Sequence, residues 1–165
     1  MPEQQERQRN HRQHRYSVTV EWTGNRGEGT SSYRSYDRDH DVRAEHVAPI
    51  AGSSDPSFRG NPSRWNPEQL LVAAAAQCHM LSYLHHAATN GVVVTAYVDH
   101  PTAVMTEDGS GGGKFTEITL HPLVTITQAA QVELAERLHE LANASCFVAS
   151  SLAVPVGHEA RTLVR

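Results

Sequence analysis

The chain has 165 residues, 39% hydrophobic and 19% charged, with a formal net charge of −4. That length suffices for one ordinary domain with a sizeable core, and the charge balance lacks the basic footprint of a nucleic-acid binder. No apolar run reaches the roughly 18 residues that a membrane-spanning helix needs, the longest being Leu70 to Ala76.

Met1 to Arg15 is rich in Gln, Arg, His and Glu, has no apolar segment, and is expected to be a disordered polar tail ahead of a single domain over 16–165. With no export signal and only two cysteines, the expected location is a reducing cytoplasm, where a disulfide is transient and catalytic. Tyr16 to Trp22 alternates in the strand manner, with Tyr16, Val18, Val20 and Trp22 on one face. Thr23 to Gly29 is a turn, and Thr30 to Tyr36 is expected to return as the second strand of a hairpin. A third short strand is expected around Val42 to Val47. Ala48 to Asn66, carrying Pro49, Gly52, Pro56, Gly60 and Pro62, reads as a long loop of functional or mobile character.

A strong helix opens at Asn66, a good N-cap, with Pro67 at the first helical position and Glu68 in the first turn, where the helix dipole favours an anion. From Leu70 to Ala88 it is apolar nearly all round, the mark of a buried helix, and Asn90-Gly91 ends it. Val92 to Met105 and Lys114 to Thr127 read as two long strands of a hairpin, with a flexible tip at Glu107 to Gly113 and a bend or edge position at Pro122. Gln128 to Asn143 has the helical period, a short turn is expected at Cys146, and Val154 to Val164 closes the chain as a strand. Strands, helix, strand pair, helix, strand is an α+β order.

Chemistry points first to Cys78 and Cys146. They are too far apart for a local motif, but a fold can bring them together as a redox pair. A thiol reacts as its thiolate, so a reactive cysteine needs a pKa below its usual ~8.5. Cys78 stands well inside its helix, beyond reach of the N-terminal dipole, and would need a cation, most simply an arginine. Glu68 faces within a quadrant of Cys78, about 15 Å away along the axis, so an arginine paired with Glu68 could point at the sulfur. Cys146 lies near a helix start and is expected to be the more easily activated of the two. The competing reading treats both as buried cysteines acting as small hydrophobes.

The segments Asp55-Pro-Ser-Phe-Arg-Gly-Asn-Pro-Ser-Arg-Trp-Asn-Pro-Glu-Gln-Leu-Leu, Cys78-His-Met-Leu-Ser-Tyr-Leu-His and Cys146-Phe-Val-Ala-Ser-Ser resemble the OsmC/Ohr family of osmotically induced and organic-hydroperoxide-resistance proteins. The resemblance runs from about residue 16 to 164. It implies an α+β fold of antiparallel sheets wrapped around a central buried helix, in an intertwined homodimer. It also implies a thiol-dependent peroxidase acting on organic hydroperoxides in oxidative-stress defence. Cys78 would attack and become a sulfenic acid, and Cys146 would resolve it as a disulfide. Glu68 would orient an arginine, by position Arg26, with Arg38 and Arg64 competing, and an external dithiol of lipoyl type would be the reductant. No cofactor is implied. The alternative is a stress-associated binding dimer of the same fold with little peroxidase activity, favoured by the unusual Gln77 and His79 beside the thiol.

Eleven histidines invite a metal reading. His79, His85 and His86 share a helix but lack zinc-ligand spacing with an acid, and no metal site is expected. His79 reads as a packing residue. Asp108-Gly-Ser-Gly-Gly-Gly-Lys lacks Walker spacing and joins two strands, so it is a hairpin tip rather than a phosphate loop.

Overall fold

The structure, a computed structural model, describes residues 12–165. The expected tail falls outside the described residues up to residue 11, and residues 12–15 are exposed and without regular structure. The chain forms two compact units, one ending at Asn66 and the other running from Pro67 to Arg165.

The first unit is a three-stranded antiparallel sheet of β1 (Thr19–Trp22), β2 (His40–Arg43) and β3 (Ile50–Gly52). The partner of β1 is β2, in a register that sets Trp22 opposite His40 and Val20 opposite Val42. The expected strand at 30–36 is instead a knot of turns. Asn25 Oδ1 accepts from the amides of Gly27 and Gly29, and both glycines hold positive φ. Short polar residues bonding their own backbone outcompete a ladder here. Trp22 closes the knot by donating from Nε1 to the Asp37 carbonyl at 2.9 Å. The long loop after β3 is equally built. Ser53 is fully buried and accepts from the Asn61 amide, and Asp55 caps a 3-10 turn at Pro56–Phe58. Gly60 runs so close to the Ser54 carbonyl that a Cβ would lie 1.5 Å from its oxygen.

The second unit opens with α1 (Pro67–Thr89), which ends at Gly91, in a left-handed conformation (φ +72°). Its buried positions Ala75, His79, Tyr83 and Ala87 recur every four residues on one face. The all-round apolar pattern therefore overstates the burial, since Leu81 is 62% exposed. Two three-stranded sheets follow. One orders β4 (Val94–Asp99), β7 (Pro122–Ile126) and β9 (Arg161–Val164), and the other orders β5 (Thr102–Glu107), β6 (Gly113–Leu120) and β8 (Val156–His158). Each expected long strand is thus split in two, at His100–Pro101, at His121 just ahead of Pro122, and at Glu159–Ala160. Proline has no N–H for the ladder, and Asp99 Oδ1 fixes the second break by accepting from the His121 amide at 2.7 Å. The sheets are mixed rather than purely antiparallel, because β8 and β9 join β6 and β7 in parallel.

Helix α2 (Val132–Ser145) packs against α1, and a five-residue helix, α3 (Phe147–Ser151), follows it. Tyr83, Ala87, Val92, Val124, Ile126, Ala135, Leu138 and Ala142 make the main core. Gln131 donates from Nε2 to the Gly91 carbonyl, tying the start of α2 to the end of α1. No helix of the described residues is long and apolar enough to cross a membrane.

Candidate functional site

Cys78 and Cys146 are brought together by the packing of α1 on α2. Both are free cysteines, and the Cys78 side chain lies near enough to act on the Cys146 thiol. Their environments differ. Cys78 is half-buried in the wall of a cleft of about 700 Å³, between Ala74, Leu81, His86 and Phe147. The i, i+4 and i+7 spacing of Ala74, Cys78 and Leu81 puts all three on one helical face, and the lining is mainly apolar. Phe147, 84% exposed, stands at the rim. His86 Nε2 and Ser145 Oγ, 3.0 Å apart in the cleft lining, join α1 to the end of α2.

Cys146 is fully buried at the α2–α3 junction. As expected from its position it is the N-cap of α3, and its sulfur accepts from the Ala149 amide at 3.4 Å. The expectation that it is the easier thiol to ionise fails. Burial, with the hydrogen bond to Cys78 as the next cause, pushes its thiol up to about 11. The amides of Ala149 and Val148 at the start of a helix this short do not offset desolvation. The pair therefore consists of an accessible thiol on an apolar cleft and a protonated thiol sealed beside it.

Glu68 occupies the first turn of α1 with Oε2 out of solvent and without a hydrogen-bond partner among the described residues. The three candidate arginines belong to the first unit, where each has partners. Arg26 donates to the carbonyls of Ser35 and Arg34 and lies 3.8 Å from Asp37. The Arg38 guanidinium sits over Tyr33 and Tyr36 at 4.3 and 4.1 Å and donates to both carbonyls. Arg64 pairs with Asp39 at 3.1 Å and Asp41 at 3.5 Å.

His79 packs, but as half of a buried pair with His139, a residue that sequence reasoning passed over together with His158. The available signal was a histidine on the apolar stripe of α2, next to Leu138. No group of three or more potential ligands among the described residues is arranged to hold a metal ion.

The OsmC-like protein family model matches residues 60–159. No curated protein matches the chain. Among solved structures, an OsmC-like protein of unknown function from Vibrio cholerae is 26% identical, with a TM-score of 0.80 over 90% of this chain and 100% of that one. An organic hydroperoxide resistance protein from Elizabethkingia anophelis is 15% identical, with a TM-score of 0.68 over 94% and 99% of the two chains. Another from Bacillus subtilis is 21% identical, with a TM-score of 0.61 over 90% and 98%. At those identities the last two establish likeness of fold only. The family model covers the helix that carries Cys78, strands β4 to β8 and Cys146, more than half of the chain, and on that ground the chain belongs to the OsmC-like protein family.

Proposed function

We propose that the chain is a thiol-dependent peroxidase that reduces organic hydroperoxides, with Cys78 as the attacking thiol and Cys146 as the resolving one. The observation that carries this reading is the pair itself, one thiol on an apolar cleft beside a second that is sealed from solvent. The Cys78 thiolate attacks the distal oxygen of the hydroperoxide. The O–O bond breaks, the sulfur becomes a sulfenate, and the leaving alkoxide takes a proton to become the alcohol. Cys146 then condenses with the Cys78 sulfenic acid, forming the disulfide and releasing water. An external dithiol, lipoyl-type in this reading, returns both thiols and is itself oxidised to a disulfide. Separating accessible from sealed thiol favours this order, because only the thiol on the cleft can meet a hydroperoxide, whereas the buried one meets the sulfenic acid that forms beside it.

The same reading takes the working form as a homodimer, supported by exposed apolar side chains. Leu81, Leu141 and Phe147 are 62%, 50% and 84% exposed in the single chain. Turnover of cumene hydroperoxide with a dithiol donor is the test. Cys78→Ser should abolish it, and normal turnover by that variant would sink the mechanism.

A second reading, a binding dimer with little peroxidase activity, is favoured by the engagement of Arg26, Arg38 and Arg64 with their own neighbours. Thiol counting after one equivalent of hydroperoxide separates the two. Loss of both thiols supports the enzyme, and two unreacted thiols support the binder.

A further inference from the structure

Within the second unit, α1 and α2 bury an imidazole pair that the thiol chemistry does not use. His79 follows Cys78 on α1, and His139 lies two turns before Cys146 on α2. His79 Nε2 and His139 Nδ1 are 3.0 Å apart, and the rings are parallel within 6°. The residues are 1% and 0% exposed. A hydrogen bond between two imidazole nitrogens needs one N–H and one lone pair. The outer nitrogens, His79 Nδ1 and His139 Nε2, are out of solvent and have no partner among the described residues. A proton added to either ring buries a cation whose outer N–H is unanswered. A proton on both rings sets N–H against N–H and breaks the bond.

The surroundings supply no counter-charge to the rings. On α1, Tyr83 stacks on His139 at 4.0 Å. On β8, His158 lies 5.5 and 5.8 Å from the two rings and opposes a charge on either. On β4, Tyr97 meets Tyr83 at 5.9 Å, and Asp99 acts on Tyr97. On α2, Glu136 acts on Tyr83, and on β9 Arg161 shares a shallow surface cleft with Glu136. From β7 the core contacts are Val124 and Ile126, and α3 carries no titratable group. Burial, with His158 beside them, holds both imidazoles well below the usual histidine range, to about 4 for His79 and about 3 for His139. The pair is thus neutral near pH 7 and comes under strain only in acid.

We propose that His79 and His139 form an acid-labile clasp between the two helices that carry the thiols, and that protonating the clasp uncouples Cys146 from Cys78. The proposal rests on the thiol geometry and not on peroxide chemistry, so it can fail while the peroxidase reading stands.

The test compares two single-thiol proteins, Cys78→Ser and Cys146→Ser, reacting with 4,4′-dithiodipyridine, which exchanges with thiols in acid as well as at neutrality. Each reaction forms a mixed disulfide and releases one thiopyridone. Taking the ratio of the Cys146 rate to the Cys78 rate reduces the common effect of pH on thiol reactivity. Between about pH 7 and about pH 4 the ratio should rise at least about tenfold, with the far-UV helix signal retained. With His79→Leu and His139→Leu combined, it should stay within about twofold. A flat ratio in the protein with both histidines overturns the proposal, whether or not the leucine pair folds. So does an equal rise in the leucine pair, or a rise that merely tracks loss of helix.

Discussion

Burial keeps Cys146 protonated at neutral pH, while Cys78 meets the cleft. This difference predicts distinct defects for the two serine variants. Cys78→Ser should lose turnover by several orders of magnitude, as removal of a nucleophile does. Cys146→Ser should still consume one equivalent of hydroperoxide and then stop at a sulfenic acid, which dimedone trapping and mass spectrometry would reveal. The sealed thiol also has a pH signature. In the Cys78→Ser protein, alkylation of Cys146 should keep climbing past the ~8.5 at which an ordinary thiol levels off, since burial, the largest cause of its raised value, remains. A plateau near pH 8.5 would contradict the burial argument. If a permanent cation activates Cys78, replacing that arginine by glutamine should slow the first oxidation by roughly tenfold or more. Stopped-flow comparison of Arg26→Gln, Arg38→Gln and Arg64→Gln would identify it, and three unaffected rates would favour the binding reading.

At the scale of elements, the α1–α2 contact makes stability depend on acid. His79 and His139 are held at about 4 and about 3 in the fold, below the ~6.5 of an unfolded histidine. The unfolded chain therefore binds more protons between these values, so stability is complete above about 6.5 and is lost as pH falls through that window. Each group contributes on the order of 3 kcal/mol. Urea titrations at pH 7 and pH 5 should show the loss, and leucine at both positions should flatten it. Gly60 supplies the element-scale prediction for the first unit. Gly60→Ala forces a Cβ into the Ser54 carbonyl and should destabilise by about 2 kcal/mol or more, read as a lowered urea midpoint. Much of this element structure was legible in the residues. Asn66, Pro67 and Gly91 bound α1, and the glycine tip at 107–113 joins β5 and β6. The breaks at Pro101 and at His121, before Pro122, were only half legible. A proline marks where a ladder weakens, but choosing two sheets over one bent hairpin depended on Asp99 meeting the His121 amide across 22 residues.

On the whole-molecule scale, the family was readable because its motifs are runs of adjacent residues, whereas the site's electrostatics arise from contacts distant in sequence. No local pattern links His79 to His139 across 60 positions, and none says that the N-cap of α3 is buried. The single chain leaves apolar side chains at 91% exposure for Tyr16, 63% for Val18 and 64% for Val20 along its first strand region. Exposed edge strands of this kind are ordinarily covered. Sedimentation should accordingly find the dimer, and charged replacements at Val18 and Val20 should weaken it. A monodisperse monomer at micromolar concentration would remove the dimer from the proposal.

The sulfur of Cys146 holds two positions at once, against Cys78 and beneath the Ala149 amide that starts α3. Bonding it to Cys78 would redirect the sulfur from that amide, leaving the first turn of α3 to the bonds that Ser150 makes to the Cys146 carbonyl. The oxidised chain would then carry a record of its state in a backbone proton. Faster hydrogen exchange at Ala149 in the disulfide form would report the redox history of the molecule without any reagent touching sulfur.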